Sequence, residues 1–311
     1  VSKKQMLKNR IPVINYAIES KGNSFKVFNE YKKLNKLINE NFKVALKLTS
    51  LDMNLKLINE IIDSFVYNNV KVLIDAENDK YNNEYNEITQ LLLNKYNKDD
   101  FNIYKTYQMY RNDSLNTLNN DMSFCKKNNL FLGTKIVRGA YWNSENSLGH
   151  LFIKKSDTDK SYNNAIISLY EYEGNSNNIL ATHNNESINL GILLNSRKKV
   201  FSFAHLLDMK TKKYNQVANE GSIVHVYIPY GPYKEMFPYL GRRLYENIDT
   251  LSFHYDRYDL YLNRACGFKG QFILKTKALS GFQTNESWVK SYKVIKDSII
   301  NEKSMHLAIY H

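Results

Sequence analysis

Two adjacent arginines, Arg242 and Arg243, follow an apolar run, Ile223-Val224-His225-Val226-Tyr227-Ile228, across a break at Pro229, Gly231 and Pro232. Paired guanidiniums just after a strand terminus suit a small carboxylate, because each planar fork can hold it through two hydrogen bonds. The plainer account is a solvated helix face, with Glu246 pairing to Arg242 four residues on. Adjacent charges on surface helices are common and contribute little to stability. Lys47 is harder to set aside. It interrupts the apolar run Val44-Ala45-Leu46-Lys47-Leu48, and lysine is rarely buried without a partner. Asp75, which closes the next apolar run, is a candidate partner, although a strand-end aspartate often only caps the following helix.

Other apolar runs close on polar residues in the same way. The set comprises Glu19, Lys47, Asp75, Glu77, Gln108, Lys135, Arg138, Tyr141, His183, Asn184 and Tyr227. His183, His205 and His225 lack the local spacing of a zinc site, and no metal site is expected. Neither a G-x-S-x-G elbow nor a phosphate-binding P-loop occurs. Cys125 and Cys266 lie far apart, without a CxxC pattern, and fit a reducing compartment. Taken alone, the residues describe a cation-rich site for a small anionic or carboxylated substrate and leave the reaction open.

Positioning such a set requires strands that end on one side. Short apolar runs alternate with amphipathic stretches from end to end of the chain. The strands are read at Val13–Ile18, Val44–Leu48, Val70–Ile74, Ile103–Gln108, Thr134–Arg138, Ile179–Ala181, Val200–Ala204 and Val224–Ile228. Helical spacing follows each one, from Phe28, Tyr31, Leu34 and Ile38 in the first to Met236, Phe237, Leu240 and Leu244 in the last. Eight strands alternating with eight helices predict a (βα)8 barrel, a TIM-like α/β fold in which catalytic residues gather at the C-terminal ends of the strands. An open doubly wound sheet would usually carry a glycine-rich turn after the first strand, and Ile18-Glu19-Ser20-Lys21-Gly22 is not one. The barrel is placed at residues 1–265. A C-terminal extension at 266–311 is expected to be helical, with Trp288 to Ile300 as one segment.

Composition narrows the class. At 311 residues with 43% hydrophobic content the chain can bury a full core. No apolar run reaches the length of a membrane span. The formal charge of +12 raises nucleic acid as a partner. The lysines, however, are scattered among asparagines and tyrosines, with no basic tail, zinc-finger spacing or RNP-like motif; no nucleic-acid partner is expected. The chain starts at Val1 and shows no secretory signal or Arg/Ser-rich transit peptide.

The order of the motifs resembles the proline dehydrogenase family. The matching segments are Ala45–Leu51, Ile74–Glu77, Thr106–Gln108, Lys135–Trp142, Asp157–Asp159 with Ser161–Asn163, Ala181–Asn184 and Tyr227–Asn247. They cover roughly residues 13 to 250, and the Gly-Ala-Tyr and Arg-Arg-x-x-Glu-Asn elements weigh most. The resemblance implies FAD as cofactor, oxidation of L-proline to 1-pyrroline-5-carboxylate, and onward transfer of electrons to a quinone. By position, Arg242 and Arg243 match the clamp on the proline carboxylate. Lys47 matches the lysine beside it, and Asp75 the acid of the active-site charge network. Tyr141, Leu206 and Tyr227 match the walls around the pyrrolidine ring. Gln108, Lys135, Val137, Arg138, Gly139, Thr182, His183, Asn184 and Glu246 match positions around the flavin.

Relatives that prefer hydroxyproline carry a smaller residue at the Tyr227 position, so the tyrosine implies proline. Hydroxyproline oxidation and a drifted flavin-binding homologue are the alternatives. The family also implies mitochondrial localisation, in the matrix or at the inner membrane, with peripheral membrane contact. At 311 residues no room is left for a fused aldehyde dehydrogenase, and a monofunctional enzyme is expected. Two departures stand out. Where the family usually has Gly-Gln-Leu-x-Gly-Met, this chain has Ala204-His205-Leu206-Leu207-Asp208-Met209, so both glycines and their backbone freedom are lost. The Lys135 and Arg138 positions are Arg and Lys in many bacterial members, which leaves open which of the two faces flavin N5.

Overall fold

The computed structural model describes residues 9–17, 23–207, 209 and 211–231. All belong to one compact unit, Ser2–Met236. Eight parallel strands close into a barrel in sequence order: β1 (Arg10–Tyr16), β2 (Lys43–Leu46), β3 (Lys71–Ile74), β4 (Ile103–Gln108), β5 (Leu132–Val137), β6 (Ser176–Ala181), β7 (Phe201–Leu206) and β8 (Val224–Tyr230). Closure runs through β1 and β8, paired from Arg10↔Val224 to Tyr16↔Tyr230. Outside the strands lie α1 (Ser24–Asn35), α2 (Leu55–Tyr67), α3 (Asn82–Tyr96), α4 (Ser114–Lys127), α5 (Trp142–Glu145), α6 (Lys155–Glu171), α7 (Asn185–Asn195) and α8 (Thr211–Asn219). The (βα)8 reading of the sequence is thus the fold.

Strand parity builds two cores. Because successive side chains alternate across a strand, Val44, Leu46, Val72 and Ile74 face outward and pack with Ile58, Ile61 and Phe65 of α2. Their neighbours Ala45 and Leu73 face inward, joining Val13, Tyr104, Ile179, Ala204 and Tyr227 in the lumen. Gly133 makes room there: a Cβ on it would lie 2.2 Å from the Ile103 carbonyl oxygen. On the far side of the barrel, β5 to β8 pack Ile136, Leu180, Phe203 and Val226 against Tyr162, Ile188 and Val217 of the covering helices.

Asparagine, abundant in this chain, starts several helices. Asn23, Asn54 and Asn184 sit at the N-caps of α1, α2 and α7, each side-chain oxygen accepting from two backbone N–H groups of the first turn. Such caps contribute about 1 kcal/mol each.

Boundaries differ from expectation in instructive places. The second strand stops at Leu46, and Leu48–Leu51 turn as a 3-10 helix ending on Asp52 with φ of 51°. β8 runs through Pro229 to Tyr230 instead of stopping at Ile228. Proline is tolerated near a strand end, where few ladder bonds are lost. Ile18, Glu19, the Arg242/Arg243 segment and the whole 266–311 extension lie outside the described residues. Among the described residues no helix is long and apolar enough to cross a membrane.

Candidate active site at the barrel mouth

The inward parity that places Val13, Ala45, Leu73 and Ile179 in the lumen also directs the side chains two residues further on. Lys47 continues β2 in extended conformation, with φ −99° and ψ 118°. Asp75 continues β3, its N–H donating to Leu46 O at 2.9 Å. Lys135 and Val137 share the inward face of β5. Leu206 pairs in register with Tyr227, and both belong to the lumen cluster. The mouth therefore collects side chains from at least five strands.

Lys135 is the centre of the set. It is only 4% exposed, and its ammonium donates to Asp75 Oδ1 at 2.5 Å and to Tyr227 Oη at 2.9 Å. Burial by itself lowers the lysine pKa, but the Asp75 charge, followed by Tyr227, more than reverses this and raises it. The result is a fixed cation inside the mouth. Asp75 thus accepts from a lysine of β5, two strands away.

The two cations of the β5 end part company. Lys135 and Arg138 are three residues apart, an odd separation that sends them to opposite faces of an extended chain. Arg138 turns outward to α6, where Nε meets Asp159 Oδ1 at 2.7 Å. Its other nitrogens donate to Thr182 Oγ1 and, at 3.1 Å, to Ser187 Oγ. The guanidinium also lies 4.4 Å from the centre of the Tyr162 ring.

The end of β6 forms a polar strip beside Arg138. Thr182 Oγ1 accepts from Asn184 N at 3.0 Å, and Thr182 O accepts from Tyr214 Oη. Asn184 is the α7 cap and reaches Asp159 Oδ1 at 3.4 Å. His183 is half-buried beside them, its ring centre 6.4 Å from that of Tyr214. Gln108, buried at the end of β4, donates through Nε2 to Glu77 O at 2.9 Å and accepts from Ala140 N at 3.3 Å. Gly139 turns this loop with φ +144°, where a Cβ would strike the Tyr110 ring at 2.4 Å. Tyr141 follows, half-buried at the start of α5. Arg242, Arg243 and Glu246 lie outside the described residues.

Three carboxylates, Glu77, Glu145 and Asp79, hold the loops of the site. Glu77 receives Thr49 N at 3.0 Å and Thr49 Oγ1 at 2.9 Å, fixing the turn after Lys47. Burial raises its pKa, while the Thr49 bonds and then the Lys47 charge pull it back. Glu145 of α5 is 2% exposed and bridges Tyr110 Oη at 2.6 Å to Asp79 N at 2.6 Å. Asp79 in turn holds Arg111 at 2.7 Å. Glu77 was visible as a strand-end residue, but nothing local marks Glu145, whose partners lie 35 and 66 residues away.

Comparison with known proteins agrees with this architecture. The chain is 33% identical over 214 residues to proline dehydrogenase 1, mitochondrial, of Dictyostelium discoideum, covering 63% of this chain and 37% of that protein. It is 33% identical over 202 residues to proline dehydrogenase 2, mitochondrial, of Arabidopsis thaliana, covering 59% and 42%. With the hydroxyproline dehydrogenase of Xenopus laevis it shares 32% over 203 residues, covering 59% and 43%. The chain therefore spans well under half the length of these curated relatives. Among solved structures, proline utilization A of Bdellovibrio bacteriovorus, inactivated by N-propargylglycine, superposes with a TM-score of 0.72 at 19% identity, over 79% of this chain and 30% of that one. Residues 234–311 match a family of unknown function. A family model described as proline dehydrogenase matches residues 3–255, and the chain belongs to the proline dehydrogenase family.

Proposed function

We propose that this chain carries FAD-dependent oxidation of L-proline to 1-pyrroline-5-carboxylate, with the electrons passed to a quinone. The observation that carries the reading is the buried Lys135–Asp75–Tyr227 constellation in the mouth of a closed barrel of this family. FAD, when bound, supplies the hydride acceptor at flavin N5 for the hydrogen of proline C5.

The donor set suits a flavin. A buried cation in the mouth stabilises the negative charge that the reduced cofactor gains, and Lys135 is that cation. Gln108, held on both sides of its amide, keeps one N–H for a ligand. Thr182, Asn184 and Arg138 form a second polar strip along the same end of the barrel. On the substrate side, Lys47 stands where a carboxylate would be attracted. Leu206 and Tyr227 supply apolar walls that hold a small ring at reacting distance, which is where much of the acceleration of a two-centre transfer arises. Arg242 and Arg243 complete this reading as the carboxylate clamp, with Glu246 and Tyr141 in their family places.

Hydroxyproline is the second substrate reading, favoured by the Xenopus laevis relative and opposed by the bulk of Tyr227. Mitochondrial residence is part of the proposal, supported by relatives that are mitochondrial proline dehydrogenases; peripheral membrane contact is proposed from the family alone. The test is an anaerobic absorbance spectrum of FAD-loaded protein before and after L-proline. Bleaching of the flavin with proline supports the proposal. Bleaching only with hydroxyproline transfers it to the second reading. Flavin that neither imino acid reduces points to the drifted homologue, and a protein that takes up no flavin sinks the proposal.

A further inference from the structure

The run that departs from the family, Ala204 to Met209, has its own fastening. His205 faces outward from β7, in the layer between strand and helix, and is 7% exposed. Its Nδ1 lies 2.8 Å from Leu206 O and 2.9 Å from Met209 O. Both neighbours are acceptors only, so Nδ1 must carry the proton and donate to both. Met209 N also donates to Leu206 O at 3.0 Å, so ring and backbone close the same turn. The ring is stacked on Tyr214 at 4.5 Å and 8°, and Tyr214 Oη donates to Thr182 O. One side chain therefore ties the turn after Leu206 to the end of β6.

We propose that His205 is a positioning residue for the substrate wall: its Nδ1–H clasps the Leu206–Met209 turn and holds Leu206 against Tyr227 in the barrel mouth. The inference rests on the proposed function for the identity of the substrate, but not for the clasp. The physical need is plain. A run that has lost both family glycines has less backbone freedom at its turn, and a planar donor reaching two carbonyls supplies closure from the side chain instead. Burial, opposed by these two backbone bonds, brings the His205 pKa down to about 4, which agrees with a ring that keeps one tautomer at neutral pH.

Three variants separate the clasp from simple packing. His205→Gln keeps a donor that can reach the same carbonyls; His205→Phe keeps the stack on Tyr214 but has no donor; His205→Ala has neither. In FAD-loaded protein, His205→Phe is expected to raise the KM for L-proline about tenfold, the loss of two shared hydrogen bonds, with kcat within about twofold. His205→Gln is expected to recover most of the wild-type KM. A His205→Phe enzyme with wild-type KM overturns the positioning role, as does a His205→Gln enzyme no better than His205→Ala. Nitrogen-15 NMR of the histidine rings reads the clasp without any turnover: an Nδ1–H tautomer for His205 supports it, and an Nε2–H tautomer overturns it. If the wild-type protein does not reduce its flavin with proline, the substrate reading falls while the tautomer result still decides the clasp.

Discussion

Lys135 shows how a single side chain acquires a fixed charge state from its surroundings. In water a lysine is a mobile cation; here burial works against the charge, and Asp75 with Tyr227 more than restores it. Tyr227 has two jobs in this arrangement, accepting from Lys135 and walling the lumen beside Leu206. The two are separable. Tyr227→Phe removes the acceptor and keeps the wall, and should raise the KM for proline by only about fivefold, the worth of one hydrogen bond. Tyr227→Ser removes both and opens space, so its ratio of hydroxyproline to proline kcat/KM should rise above that of wild type. An unchanged ratio in steady-state assays would detach Tyr227 from substrate selection. His205 makes a prediction about pH. Its folded pKa is about 4 against an ordinary 6.5, so the unfolded chain binds the proton more tightly. Stability is full above about pH 6.5 and is lost as the pH falls toward 4, by roughly 3 kcal/mol for this group. A His205→Gln protein should show a shallower decline of Tm between those pH values, measured by thermal melts across the range.

Among the elements, β4 and α4 share a buried ion pair that no site needs. Lys105 Nζ meets Asp121 Oδ2 at 2.7 Å, with both side chains almost fully buried, and Tyr107 Oη donates to the same oxygen at 2.8 Å. These residues face outward from the barrel, toward Cys125 and the helix layer. Removing one partner leaves the other charge buried alone, so Asp121→Asn should cost about 3–5 kcal/mol in chemical denaturation. Replacing the pair by apolar residues, as in Lys105→Met with Asp121→Leu, should cost markedly less than the single change. The contrast between single and double variants identifies a structural pair, as equal losses would not. Gly139→Ala belongs at the same scale. It places a Cβ on the Tyr110 ring at a backbone angle that favours glycine, and should loosen the β5–α5 connection, weakening FAD uptake before it lowers Tm.

For the molecule as a whole, the described barrel supplies cations at Lys47 and Lys135, while the proposed carboxylate clamp lies further along the chain. Arg242→Met and Arg243→Met should each raise the KM for proline by about ten- to a hundredfold, the range of a charged hydrogen bond, with the flavin still bound. A wild-type KM in either variant would return the arginine pair to a solvated helix face. The barrel's construction also explains why so many strand-end residues were legible early. Parallel strands that close on themselves share one C-terminal face, so polar endings on apolar runs, such as Lys47, Asp75, Gln108 and Tyr227, converge without any sequence signal for the convergence itself.

The sequence by itself determined the alternation of strand and helix, the barrel class and the family, because apolar periodicity and short ordered motifs are local properties. It also marked Lys135 and Arg138 as a pair of cations at one strand end. Only the tertiary structure decided that Lys135 enters the lumen with Asp75 and Tyr227 while Arg138 leaves it for Asp159 and Thr182. Partners 60 and 92 residues away carry no signature in the chain around Lys135. The same holds for Glu145, which acts only because folding brings Tyr110 and Asp79 to it, and for His205, whose ring is seen across two carbonyls only in the folded turn. Charge pairing and loop closure depend on distances through space, and those become defined when the strands have chosen their register.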